Sequence, residues 1–188
     1  MAILNVHTRR VDAPVLEAAA LLDRLASDAD RFWPGKTWPP MRFDRPLDVG
    51  AAGGHGPIRY TVSDYEPGRW IRFAFTGPSG FHGFHEFTVR ADGASGTLIT
   101  HLLVLRPRGR ARLSFPLLYR PLHDALLENA LDRAELALSA SASTDTSWSR
   151  YVQMLRWFLA RTTRGRARRD VPCADVRANG GHRTSTHT

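Results

Sequence analysis

The chain has 188 residues, 43% hydrophobic and 23% charged, which suits one domain with a buried core plus a tail and is too short for two comfortable domains. No apolar run approaches the roughly 20 residues that a membrane-spanning helix needs, which excludes a helical membrane protein. The net charge of +8 is uneven: residues 1–138 carry 17 basic and 15 acidic side chains, residues 139–188 carry 9 and 3, so the excess sits in the tail and charge alone is weak evidence for a nucleic-acid partner.

The first residues, Met1–Arg10, lack the charged, apolar and cleavable order of a secretory signal, and a cytoplasmic location is expected. Ile3–Thr8 reads as a short strand. Asp12 is placed to cap a helix whose first turn accepts Pro14 and which continues through Val15–Leu22. A second short helical piece is expected at about Asp28–Trp33, before Pro34-Gly35 and Pro39-Pro40 stop it. Gly35-Lys36-Thr37 is not a phosphate loop, because Asp30 stands where the leading glycine is needed and Pro39-Pro40 forbids the following helix. The glycine-rich stretch Gly50–Gly56 precedes a strand and reads as a flexible loop at a sheet edge or cavity mouth.

From about residue 41 the period becomes two. Ile58, Tyr60 and Val62 alternate with polar residues, then Ile71, Phe73 and Phe75 after the turn Glu66-Pro67-Gly68. Phe81, His85, Phe87 and Val89 share one parity of a third run, the turn Ala91–Gly96 leads into Thr97–Leu105, and Arg112–Phe115 is expected to add a last strand. Short strands joined by glycine-rich turns predict an antiparallel sheet. Pro121–Ser139 is the strongest helix, with His123, Leu127, Leu131, Ala134 and Leu138 on one face and Asp124, Glu128, Asp132 and Glu135 in an acidic stripe. The fold class is α+β.

Gly54–Val62, Tyr65–Ile71, His123–Glu128 and Asp132–Glu135 carry a resemblance to the START-like, or SRPBCC, superfamily over about residues 1–138. That superfamily includes polyketide cyclases, lipid-transfer domains, coenzyme Q-binding proteins and pollen allergens. The resemblance implies a helix-grip fold, in which a curved antiparallel sheet wraps a long C-terminal helix and a ligand cavity lies between them. It implies a pocket rather than a reaction.

His82 and His85, three apart on a strand, point to opposite faces, so with Glu86 they make no metal site, and no metal or cofactor is expected. A five-residue turn at Ala91–Ser95 places His101 opposite His85, and a turn one residue different places Leu102 there. With His123 on the apolar face of the closing helix, three imidazoles are expected to converge on one cavity, against the alternative that each is an ordinary hydrogen-bonded histidine. The expected lining is Tyr60, Phe73, Phe75, His85, Phe87, His101, Tyr119 and His123. No nucleophile–base pair stands out, so the leading expectation is binding of a small hydrophobic, lipid- or polyketide-like molecule. The alternative is a cyclase or dehydratase with His85, His101 and His123 as acid–base groups.

Residues 139–149 read as a flexible Ser/Ala/Thr linker, 150–169 as a basic amphipathic helix and 170–188, which holds the single cysteine Cys173, as a disordered tail. Trp148, Tyr151, Leu155 and Phe158 share one apolar face beside Arg164, Arg166, Arg168 and Arg169, the pattern of a helix lying on an anionic membrane surface. Packing on the protein's own sheet, or on a second copy in a homodimer, is the alternative.

Overall fold

The computed structural model describes residues 2–139 and 147–169, with side chains described as far as residue 161. Seven strands form one antiparallel sheet: β1 (Ile3–Val11), β2 (Arg42–Phe43), β3 (Ala52–His55), β4 (Ile58–Glu66), β5 (Trp70–Gly77), β6 (Gly83–Asp92) and β7 (Gly96–Leu105), in the order β1-β7-β6-β5-β4-β3-β2. The helices are α1 (Val15–Asp23), α2 (Ala111–Ser114), α3 (Arg120–Leu138) and α4 (Arg150–Arg169), with a π-helical turn at Phe115–Tyr119 joining α2 to α3. Among the described residues no helix is long and apolar enough to cross a membrane.

The period-two pattern sets the core face of the sheet. Tyr60, Val62, Ile71, Phe73, Phe87, Val89 and Ile99 are buried on it, against Ala18, Leu21 and Leu22 of α1 and Leu126, Leu127, Ala130, Leu131 and Ala134 of α3. The alanines on α3 let its backbone approach the sheet. A second cluster, Phe81, Leu103, Leu105, Ala111 and Phe115, closes the end where the sheet meets α2.

Several local expectations are corrected. Pro14, not Asp12, occupies the N-cap of α1, and the Asp12 carboxylate instead accepts a hydrogen bond from Arg10. Asp28–Trp33 is not helical, because the Asp30 carboxylate accepts from the backbone N–H groups of Ala26, Phe32 and Trp33, all at 2.8 Å, and winds the segment into turns. The glycine-rich stretch is no loop throughout: Ala52–His55 is strand β3, a hairpin partner of β4. There Gly54, at φ 152°, lies so close to the next strand that a Cβ would come within 2.0 Å of the Ile58 carbonyl oxygen. Arg112–Phe115 is helical rather than a strand, because Ala111 and Phe115, four apart, both turn onto Phe81 and Leu105. The hairpin register also differs, with His101 opposite Phe87 and Leu103 opposite His85. The shift is by two residues, so parity is kept and both histidines still share the core face.

β1 inverts the usual pattern. Leu4 and Val6 face outward, whereas Asn5, His7 and Arg9 turn inward to α3. The acidic stripe of α3 is the reason. Arg9 Nη1 donates to Asp132 at 2.8 Å and to Glu135 at 2.6 Å, and Nη2 donates to Glu128 at 3.0 Å. Arg9→Ala leaves three partly buried carboxylates facing one another, and we expect it to lower stability by about 2 kcal/mol. In a thermal melt that is a fall of about 4–8 °C. An unchanged melting temperature would contradict a structural role for this seam.

Candidate functional site

A cavity of about 140 Å³ lies between the core face of the sheet and α3. The sheet contributes Ile58, Phe75, His85, Phe87, His101 and Leu103, the segment before β6 contributes Phe81, and the helical side contributes Phe115, Leu118, Tyr119, Leu122, His123, Leu126 and Leu127. Trp33, Trp38 and Pro39 from the turns after α1, His55 from β3, Pro57 from the β3–β4 turn and Leu159 of α4 also line it. The π turn at Phe115–Tyr119 is where Pro116 removes a helical donor, and the widened turn carries Phe115, Leu118 and Tyr119 to the cavity.

Besides the Tyr119 hydroxyl and the Trp33 and Trp38 indoles, the polar groups of this wall are imidazoles. His85 Nδ1 and His101 Nε2 share a hydrogen bond of 3.2 Å, one ring donating to the bare nitrogen of the other. The ring of His101 lies 5.1 Å from that of His123. His123 Nδ1 donates to Asp124 Oδ1 at 3.2 Å. Burial pushes the pKa of His85 and His101 well below the usual histidine range and lowers that of His123, while it takes His55 down to about 3. All four are neutral at pH 7. His101 Nδ1 and His123 Nε2 are buried without a protein partner.

No protein-family model matches the chain, and no curated protein matches it. Its likeness is to solved structures. CalU16 from Micromonospora echinospora superposes with a TM-score of 0.54 at 17% identity, over 85% of this chain and 88% of that one. Norcoclaurine synthase from Thalictrum flavum gives 0.56 at 14% identity, over 74% of this chain and 95% of that one. A protein from Thermobifida fusca gives 0.58 at 13% identity, over 77% and 99%. The chain has the helix-grip fold.

Of the residues expected to line the helix-grip cavity, Phe75, His85, Phe87, His101, Tyr119 and His123 do so. Tyr60 and Phe73 do not. Both are fully buried one layer behind, with Phe73 stacked on His85 at 4.9 Å and Tyr60 edge-on to the same ring at 5.0 Å. Replacing Phe73 therefore tests folding rather than binding. His55 was missed, although its glycine-rich stretch had been read as a possible cavity mouth; its ring packs 4.9 Å from that of Trp33. Trp33, Trp38 and Leu159 carried no sequence signal, because only the turns and the docking of α4 bring them to the wall.

One side of α4 is packed onto the body. The Trp38 and Trp148 indoles donate to the same Asn129 side-chain oxygen at 2.8 and 2.9 Å, and the Arg156 guanidinium lies over both rings at 4.1 and 3.8 Å. The Tyr151 hydroxyl donates to the Leu117 carbonyl at 2.5 Å, a carbonyl to which Pro121, four residues on, has no N–H to offer. Trp148 and Tyr151 are thus engaged within the chain, and Leu155 is half-buried. Met154, Trp157 and Phe158 are exposed. Arg164, Arg166, Arg168 and Arg169 belong to the backbone of α4, and residues 170–188 with Cys173 lie outside the described residues.

Proposed function

We propose that the chain binds a compact, largely apolar molecule carrying a carbonyl or hydroxyl group, held between the sheet and α3 and covered at one end by α4. One observation carries this reading: an aromatic and aliphatic wall contains two buried imidazole nitrogens, His101 Nδ1 and His123 Nε2, with no protein partner. Buried polar atoms are normally paired, and leaving one unpaired costs about 1–3 kcal/mol, so a ligand oxygen that bonds to either nitrogen recovers part of that cost. A volume of about 140 Å³ favours a ring-sized, polyketide-like molecule over a long acyl chain, given that a cavity of about 150 Å³ accepts benzene.

Leu122→Trp is expected to fill the cavity from α3 and reduce binding more than tenfold while the fold is kept. His101→Phe preserves the shape of the wall and is expected to weaken a hydroxyl- or carbonyl-bearing ligand about five- to tenfold, the worth of one hydrogen bond. Native mass spectra of the full-length protein purified from its own host supply the readout. An added mass that leaves on denaturation and is absent in Leu122→Trp supports the reading, and an added mass retained in Leu122→Trp overturns it.

The directly bonded pair His85–His101 favours a second reading, acid–base catalysis on an enolisable carbonyl chain of the cyclase kind. Two neutral imidazoles in a dry wall can take and return one proton without a carboxylate, and one neighbour of this fold is a synthase. Turnover lost in both His85→Phe and His101→Phe supports catalysis, and turnover that survives both removes it.

A further inference from the structure

Behind the cavity wall, at the seam of β1 and α3, three potential metal ligands converge. His7 Nε2 and His123 Nδ1 each lie 3.2 Å from Asp124 Oδ1, and all three atoms lie within 4.8 Å of one another. We propose that His7, His123 and Asp124 form a site for a divalent transition cation of the zinc class. Two ligands held about 2.1 Å from one tetrahedral ion sit about 3.4 Å apart, so the two nitrogen–oxygen separations already match, and a small rotation of either ring brings in the third ligand.

The surroundings favour this assignment. His7 uses its other nitrogen, Nδ1, to donate to Glu128 Oε1 at 2.7 Å, the carboxylate–histidine arrangement that fixes the tautomer and orientation of a metal-ligating ring. Glu128 is itself held by Arg9 at 3.0 Å, and Asn5 Nδ2 donates to Asp124 Oδ1 at 3.0 Å. An entering cation replaces the protons on His7 Nε2 and His123 Nδ1, which are released to solvent, and takes two imidazoles and one carboxylate as ligands. Two imidazoles and a carboxylate leave at least one coordination position open, as in catalytic rather than structural sites. Asp124 and Glu128 are partly exposed, which gives an ion access from the surface. His123 belongs to the cavity wall as well, so the ion stands one ring away from any molecule bound there.

The test uses the full-length chain carrying Cys173→Ser, His182→Ala and His187→Ala, so that the C-terminal segment offers no thiolate or imidazole. After chelator treatment and dialysis, Co²⁺ is titrated at pH 7.5 and its visible absorption recorded, with Zn²⁺ as competitor. One equivalent should bind with the intense bands of a four- or five-coordinate site and be displaced by Zn²⁺. His7→Gln and Asp124→Asn should each abolish those bands, and Glu128→Gln should weaken binding about 10–100-fold. His82→Ala serves as the control and should leave them unchanged. Unaltered bands in His7→Gln and Asp124→Asn, or no binding at millimolar Co²⁺, overturn the site. If a variant does not fold, the imidazole nitrogen resonances of the parent chain decide: those of His7 and His123 must shift with Zn²⁺, and unmoved signals overturn the proposal.

Discussion

Between pH 7 and pH 5 the protein is expected to lose at least about 2 kcal/mol of stability, a sizeable share of what a domain of this size has. His85 and His101 have folded pKa values well below 6.5 and His55 has one of about 3, in each case chiefly because burial disfavours the charged ring. In the unfolded chain they titrate near 6.5, so below that pH the unfolded state binds protons that the folded state refuses. Stability therefore falls as the pH drops from 6.5 towards the folded values, by about 2 kcal/mol for His55 down to pH 5, with His85 and His101 adding to the loss in the same direction. His123, which faces His101, acts in the same direction. His7, on the other side of His101, acts in the opposite one. Its pKa is raised, first by the hydrogen bond to Asp124, so its contribution is complete below 6.5 and is lost as pH rises through its folded value. Asp124, held below the usual carboxylate range despite its burial by its bonds to His123 and His7, keeps contributing until the pH falls through that low value. Urea denaturation at the two pH values measures the difference. In the double variant His85→Leu, His101→Leu the loss should shrink. A wild-type loss under about 1 kcal/mol would mean that these rings are not buried neutral.

Truncating Phe87 to alanine is expected to lower stability by about 3–5 kcal/mol. Its ring is 1% exposed, edge-on to Phe32 at 5.1 Å and to His101 at 4.6 Å, so few neighbours can move to refill the space. The thermal midpoint should fall by about 10 °C or more. Because Phe87 is also part of the cavity wall, the deleted volume joins the existing space, and added benzene should recover part of the loss by binding only the folded state. A change below about 1 kcal/mol, or no response to benzene, would show that Phe87 neither packs nor lines as described.

Much of this architecture was legible along the chain. The alternation at Ile58–Val62, Ile71–Phe75 and Phe81–Val89 marked strands, and parity alone put Phe75, Phe87 and His85 on one face. His101 joined them despite an error of two residues in register, because an even shift preserves the face. Parity also has a limit, shown by Tyr60 and Phe73. It tells core from solvent but not the first layer around a cavity from the second, since both point the same way from the sheet.

Elsewhere a local signal was outvoted. Arg112–Phe115 has strand-like content, but Ala111 and Phe115 must both reach Phe81 and Leu105, and only a helical turn does that. The apolar Leu4 and Val6 of β1 face outward, because the helix above β1 presents carboxylates rather than leucines. The partners of the acidic stripe, His7 and Arg9, lie more than a hundred residues away in the chain.

Periodicities of two and 3.6 within short windows were enough for the class of fold, the buried face of β4, β5 and β6 and the helix that closes the sheet. Which imidazoles meet, the place of His7 between Asp124 and Glu128, and the reach of α4 to the cavity through Leu159 emerge from the assembled fold alone. The reason is physical: these contacts join segments far apart in the chain, and their geometry depends on strand register, helix placement and burial acting together rather than on any local pattern.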